Sequence, residues 1–209
     1  MKNVFTRSRI FLSILVASAA FSANAQSSIQ NYQFTQTVSP YQEITGGTIL
    51  GSIDIDEEVF NNSTTGVSGT VTDVGFPIGF SFVYNNQSYD RFAVGTNGYI
   101  KLGNGTFPIT GSVAAAFTQT FGDTNGLKQI IAALHGDLEG QSGSTLRYQT
   151  IGTAPARELV VQWRKFMFWN TTGPDSLNFQ IRLKEAGNAI EFCYGNIVRN
   201  ATDKIVSVG

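Results

Sequence analysis

The strongest constraint on this chain is a period of two. Between Asn178 and Lys184, apolar Phe179, Ile181 and Leu183 alternate with Asn178, Gln180, Arg182 and Lys184. Successive side chains of an extended strand point to opposite faces, so this run predicts a strand with an apolar inner face and a polar outer face. Ala186-Gly187-Asn188 then supplies turn residues, and Ala189–Tyr194 returns as a second strand, which makes the pair a hairpin. The same grammar recurs upstream. Ile78, Phe80, Phe82 and Tyr84 alternate ahead of Asn85-Asn86, and Tyr89–Val94 follows as a strand. Thr96-Asn97-Gly98 turns the chain into Tyr99–Leu102, and Asn before Gly suits the positive φ angles of hairpin turns. Thr145–Ile151 and the long run Arg157–Trp169 are also β-favouring. Helix signals are poor. Ser112–Phe121 and Leu127–Leu134 each have room for a helical turn, while Ile130–Leu134 reads equally as a buried strand. Asn61–Thr72, rich in Asn, Ser, Thr and Gly, reads as a long exposed loop. About ten to twelve short strands separated by turn residues predict an all-β fold, an antiparallel β-sandwich of jelly-roll or lectin-like type with little helix.

The first 25 residues read as an address. Lys2, Arg7 and Arg9 form a positive start, Ile10–Ala20 is apolar, and Ala23-Asn24-Ala25 has the small residues of a cleavage site. This is the layout of a secretory signal peptide, with an apolar run too short to span a bilayer. The expected mature chain is a single domain over 26–209, exported through the Sec pathway to the medium or the outer cell surface, with no membrane span after cleavage. Loss of the three leader cations leaves 11 Lys+Arg against 15 Asp+Glu, a net charge of −4, so no basic footprint for nucleic acid is present. Charged residues are 14% of the chain, and the only cysteine is Cys193. One cysteine closes no internal disulfide, so stability has to come from a packed core. Cys193 itself, inside a strand-like run, reads as a small packing residue. The last run, Lys204–Gly209, looks like a strand without a terminating signal. It is either a frayed edge strand or a sign that 26–209 is the amino-terminal part of a longer protein.

An ordered set of segments carries a family resemblance. Phe76-Pro77-Ile78-Gly79-Phe80-Ser81-Phe82 comes first, then Val94-Gly95-Thr96-Asn97-Gly98-Tyr99-Ile100 and Ile130-Ile131-Ala132-Ala133-Leu134. Leu159-Val160-Val161-Gln162-Trp163 and Asn178-Phe179-Gln180-Ile181 complete it. The order resembles the amino-terminal module of large secreted surface proteins of Bacteroidota and, more loosely, the extracellular domain of nidogen. The resemblance implies a secreted, adhesive or surface-displayed β-domain that often precedes further modules. The bacterial family commonly carries a carboxy-terminal sorting domain for type IX secretion. It brings no catalytic residues with it.

Motifs for chemistry are few. Neither a Gly-x-Ser-x-Gly elbow, a P-loop nor His-Glu-x-x-His occurs. His135, Asp137 and Glu139 lie at i, i+2 and i+4 and would share one face of an extended strand, where paired carboxylates suit glycoside hydrolysis. Gly136 and Gly140 suggest instead a polar loop after a buried strand. Asp54, Asp56, Glu57 and Glu58 crowd four carboxylates into five residues, a hard-oxygen set that suits Ca²⁺, although Val59 stands where an EF-hand loop needs Gly. The alternative is a solvated acidic turn. Along the run to Trp169, Trp163, Met167 and Trp169 share one parity and Phe166 and Phe168 the other. A strand apolar on both faces is central in its sheet or meets a partner, and Trp163, Phe166, Phe168 and Trp169 are therefore candidates either for the core or for stacking on sugar rings.

Three functions remain in view. The first is a non-enzymatic adhesion or binding domain for extracellular glycan or protein. The second is a glycoside-acting enzyme using Asp137 and Glu139, and the third is a structural module of a larger surface protein. Export is testable directly: mass spectrometry of the exported protein should find Gln26 at its amino terminus, and retention of Met1 would refute the leader.

Overall fold

The computed structural model describes residues 32–38, 41–61, 75–104, 129–171, 175–200, 204 and 206–209. The leader, residues 62–72 of the expected loop, and Ser112–Phe121 lie outside the described residues. Ten strands are present among the described residues: β1 (Thr48–Gly51), β2 (Val59–Phe60), β3 (Phe76–Tyr84), β4 (Gln87–Gly95), β5 (Tyr99–Gly103), β6 (Ile130–Ala132), β7 (Leu138–Ile151), β8 (Glu158–Phe168), β9 (Leu177–Lys184) and β10 (Ile190–Tyr194). One sheet has the order β1-β7-β8-β9-β10. The other has the order β2-β4-β5-β6, with β3 also paired to β4. Every pairing between these strands is antiparallel. The only helical element among the described residues is a 3-10 turn at Ala186–Asn188, where the sequence places the β9–β10 turn. Among the described strands, β3–β4, β4–β5, β5–β6, β7–β8, β8–β9 and β9–β10 pair as antiparallel neighbours within one sheet, and the chain changes sheet from β1 to β2 and from β6 to β7. No helix among the described residues is long and apolar enough to cross a membrane.

Local chemistry explains the turns. Asn85 and Asn86, both at positive φ (50° and 59°), form a two-residue hairpin between β3 and β4, the geometry that Asn tolerates best among non-glycine residues. Ile130–Ala132 resolves as a strand on β5, and residues 206–209 add outside it. Ala132 and Gly209 exchange N–H···O bonds at 2.6 and 3.0 Å, and His135 and Ser207 do so at 2.9 and 3.0 Å.

The core lies between the sheets. β3 alternates cleanly, burying Phe76, Ile78, Phe80 and Phe82. Phe92, Val94, Ile100, Leu102 and Ile131 of one sheet meet Leu146, Leu159, Val161, Trp163, Phe179, Ile181 and Leu183 of the other. Phe76, Phe92 and Tyr148 form an aromatic triangle with centroids 5.0–5.7 Å apart, within the range of favourable ring pairs.

β8 is the central strand of its sheet, and a bulge overrides its simple parity. The register slips between Trp163 and Phe166 against β9, and Lys165 at that point has φ 56°. One extra residue in a bulge flips the side chains beyond it. Trp163, Phe166 and Phe168 consequently all face the core, while Trp169 just past the strand stays 45% exposed.

The outer face of the first sheet is polar yet covered. Residues 41–47 run across it as a strap, from β10 towards β7. The Tyr41 ring lies over Gly195. Gln180 Nε2 donates to Gln42 O at 2.7 Å, and Gln162 both accepts from Ile44 N–H (2.9 Å) and donates to Ile44 O (3.2 Å). The two glutamines bond each other at 2.6 Å. Alternation alone makes Gln180 and Arg182 ordinary surface residues, but Gln180 is fully buried. Arg182 pairs with Glu158 at 3.2 Å, bonds Gln180 Oε1 and reaches Gln42 O. Chemical denaturation should therefore show a loss at both faces. Ile181→Ala is expected to cost about 2–5 kcal/mol as a cavity, and Gln180→Ala about 1–3 kcal/mol because it strands buried partners. A negligible effect of Gln180→Ala would mean that the strap does not seal this face.

Candidate functional site

The loop between β1 and β2 docks against the start of β7. Asp54 N–H donates to Gly140 O (3.0 Å), and Gly140 N–H donates to Ile55 O (2.7 Å). Such close approach needs glycine, because a Cβ at residue 140 would overlap the Ser52 carbonyl. Gly140 is thus part of a strand, not a turn that ends one: β7 starts at Leu138 and continues past residue 140 through a second bulge before Thr145. Beyond Asp54, which has φ 61°, Asp56 N–H donates to Glu58 Oε2 (2.6 Å), and Glu58 O accepts from both N–H and Oγ1 of Thr96.

This docking joins two acidic segments that are eighty residues apart in sequence. Asp56 is pushed up to about 6, first by burial and then by the charges of Asp137, Glu57, Glu139 and Glu58. Glu57 is raised by burial and by Asp137 and Glu58. Asp137 is raised by burial and opposed by Lys204. Five carboxylates therefore share one rim. Among the described residues, however, no group of three or more His, Cys, Asp or Glu is arranged to hold a metal ion. Asp56, Glu57 and Glu58 meet Asp137 and Glu139 without closing a cage of that kind, and Asp54 joins them only through its backbone N–H on Gly140 O.

Trp169 belongs to the same rim. Its N–H donates to Asp137 O (2.9 Å), continuing the β7–β8 ladder beyond Leu138 and Phe168, and its carbonyl accepts from Lys204 Nζ (2.8 Å). Of the four aromatic candidates, Trp163, Phe166 and Phe168 are core residues. Trp163 donates its indole N–H to Thr96 O (3.1 Å) and stacks on Phe179 with centroids 5.0 Å apart. Trp169 alone among these four presents a ring to solvent.

His135 is set apart from its two carboxylate neighbours in sequence. It is buried, packs edge-on against Tyr99 at 5.5 Å, and burial pulls its pKa down to about 4, so it is neutral at physiological pH. Asp137 and Glu139 are half-buried and lie with the β1–β2 loop. Cys193 sits half-buried opposite Gln180, where burial raises its thiol pKa and keeps it protonated. Sequence reasoning missed Lys204, whose place beside Asp137 depends on a long-range return of the chain. It also missed the anchoring role of Thr96-Asn97-Gly98, for which the Asn-Gly pair was the available signal.

The crowding has a testable consequence. The folded chain holds the Asp56 proton more tightly than the unfolded chain, whose value is near 3.8. The resulting stabilisation is fully present below the unfolded pKa and is lost as pH rises through about 6. Asp56→Asn should accordingly raise the thermal midpoint at pH 7, and the gain should fade by about pH 4. Equal midpoints at pH 7 would show that solvent screens the rim.

The chain matches a family model described as NIDO-related over residues 31–209. No curated protein and no solved structure matches it. Match and fold agree, since the β-sandwich and the segments from Phe76 to Ile181 that shape its core all fall within the matched span. By this measure the chain belongs to the NIDO-related family, a nidogen-like family of extracellular modules.

Proposed function

We propose that this module is a secreted or surface-displayed, non-enzymatic binding domain that takes carbohydrate at the rim around Trp169. The carrying observation is the exposed Trp169, whose backbone is bonded to Asp137 O and to Lys204 Nζ, on the rim where Asp137 meets Asp56, Glu57, Glu58 and Glu139. An indole face offers an apolar platform for a sugar ring, and carboxylates are strong acceptors for its hydroxyls. Family membership supports an extracellular setting. The likeness to secreted Bacteroidota modules adds export through the Sec pathway.

One observation favours a second reading. A carboxylic acid held near 6 beside other carboxylates is the pairing that glycoside hydrolysis uses, with Asp56 as proton donor and Asp137 or Glu139 as its partner. The Ca²⁺ reading of Asp54, Asp56, Glu57 and Glu58 would make the ion a bridge between rim and sugar. Both readings are separable by experiment. A glycan array followed by calorimetry on the hits should give binding that Trp169→Ala weakens about tenfold or more, the scale of a lost aromatic stack. Binding unaffected by Trp169→Ala, or no glycan bound at all, would overturn the proposal. Hydrolysis of the bound glycan that disappears in Asp56→Asn would favour the enzyme, and binding abolished by chelator would favour the ion.

A further inference from the structure

The side of the second sheet that faces away from the core carries buried polar groups of its own. On β5, Ile100 and Leu102 belong to the core, so Tyr99 and Lys101 point the other way. On β4, Ala93 and Gly95 do the same beside core Phe92 and Val94. The register sets Tyr99 level with Gly95 and Lys101 level with Ala93. The Tyr99 ring lies over Gly95, where a Cβ would overlap it. Asn61 comes directly after Phe60 of β2, a core residue, and falls on the same side as Tyr99. The Val59–Gly95 and Phe60–Val94 pairs bring it level with Ala93. Tyr99, Asn61 and Lys101 are only 1%, 4% and 8% exposed. Neither the Tyr99 hydroxyl nor either polar atom of the Asn61 amide has a hydrogen-bond partner among the described residues. Lys101 makes no ion pair among them, and burial lowers its pKa with no neighbouring charge to offset the loss of water.

A buried ammonium without a counter-charge and buried polar atoms without partners all cost stability. Three such groups on neighbouring strands, around the small side chain of Ala93, specify the chemistry that would offset that cost. Lys101 Nζ, Asn61 Nδ2 and the Tyr99 hydroxyl are donors, and burial keeps the phenol protonated. Asn61 Oδ1 is an acceptor. The complement is a carboxylate with a hydroxyl beside it. We propose that Asn61, Tyr99 and Lys101 form a binding site for a small hydroxy acid of the uronic-acid type. The carboxylate lies against Lys101 and Tyr99, and the neighbouring hydroxyl donates to Asn61 Oδ1. Charge separates this site from the rim around Trp169, whose carboxylates repel an acid. Enclosure selects the free acid over a polymer, because side chains that are nine-tenths buried offer no open track for a chain of sugars.

The test is calorimetry and thermal unfolding of the exported chain with galacturonate, with galactose, and with a galacturonate trimer, all at equal ionic strength. Galacturonate should bind and raise the unfolding midpoint as its concentration rises, and galactose should do neither. No binding of galacturonate, or equal binding of galactose, would overturn the proposal. Equal or tighter binding of the trimer would overturn the free acid as the ligand. Lys101→Met should abolish the response to galacturonate while raising the midpoint without it, since the variant no longer buries an unpaired charge. A response that survives in Lys101→Met would place the acid elsewhere. Tyr99→Phe keeps the ring over Gly95 and removes only the hydroxyl, so it gives a second readout should the lysine variant fold poorly. It should weaken galacturonate about tenfold, the scale of one hydrogen bond to a charged group. Undiminished affinity there would remove Tyr99 from the site. Trp169→Ala should leave galacturonate binding unchanged, and its loss would assign the acid to the rim and overturn a separate site.

Discussion

One hydrogen bond inside the core ties the two sheets together. Trp163, on the central strand of the first sheet, donates its indole N–H to the carbonyl of Thr96 in the β4–β5 turn of the second. A fully buried indole brings a large apolar area but also a donor that is costly to leave unmet. Its position is therefore specified both by packing on Phe179 and by the placement of one carbonyl. The turn that presents that carbonyl is itself tightly held. Glu58 O accepts from Thr96, Asn97 Oδ1 accepts from Leu138 N–H at 2.8 Å, and a Cβ at Gly98 would overlap the Leu134 carbonyl. From this one turn depend the position of β2, the start of β7 and the packing of β8, and those are the elements that carry the acidic rim.

The outer face of the first sheet obeys a second constraint. Gln162 and Gln180 are as inaccessible as the core leucines, yet they face away from the core. Their amides have no apolar role, so the strap's backbone is what keeps them from being buried without partners. A two-sided sheet of this type needs a third layer, and here that layer is seven residues of extended chain.

Legibility in the sequence followed the range of the interaction. The β9–β10 hairpin and the β3–β4 turn at Asn85-Asn86 were readable because alternation and turn chemistry are local. Gln180 and Arg182 were assigned to the correct face but to the wrong environment, because nothing local announces a strap that arrives from about 140 residues upstream. The bulge at Lys165 defeated parity along β8: a left-handed lysine has no signature in the sequence, and it turned Trp163 and Phe166 to one side. β1 and β2 were missed because they are four and two residues long and draw their order from partners. The acidic segments were each visible as clusters, whereas their meeting depends on the Gly140 contacts, which connect loop to strand across the fold.

That meeting carries the functional argument. Burial, and after it the neighbouring carboxylates, hold Asp56 and Glu57 above the usual carboxylate range, which costs the folded chain stability at neutral pH. The same five carboxylates could sit apart on a polar surface without affecting the sandwich. They are instead placed together at a junction held by backbone hydrogen bonds, between the turn that receives Trp163 and the ladder that ends at Trp169. A ligand rich in hydroxyl donors would offset the repulsion on binding. In the proposed binding role such contacts would turn that cost into affinity, and a rigid scaffold beneath the rim would keep the ordering cost of binding low.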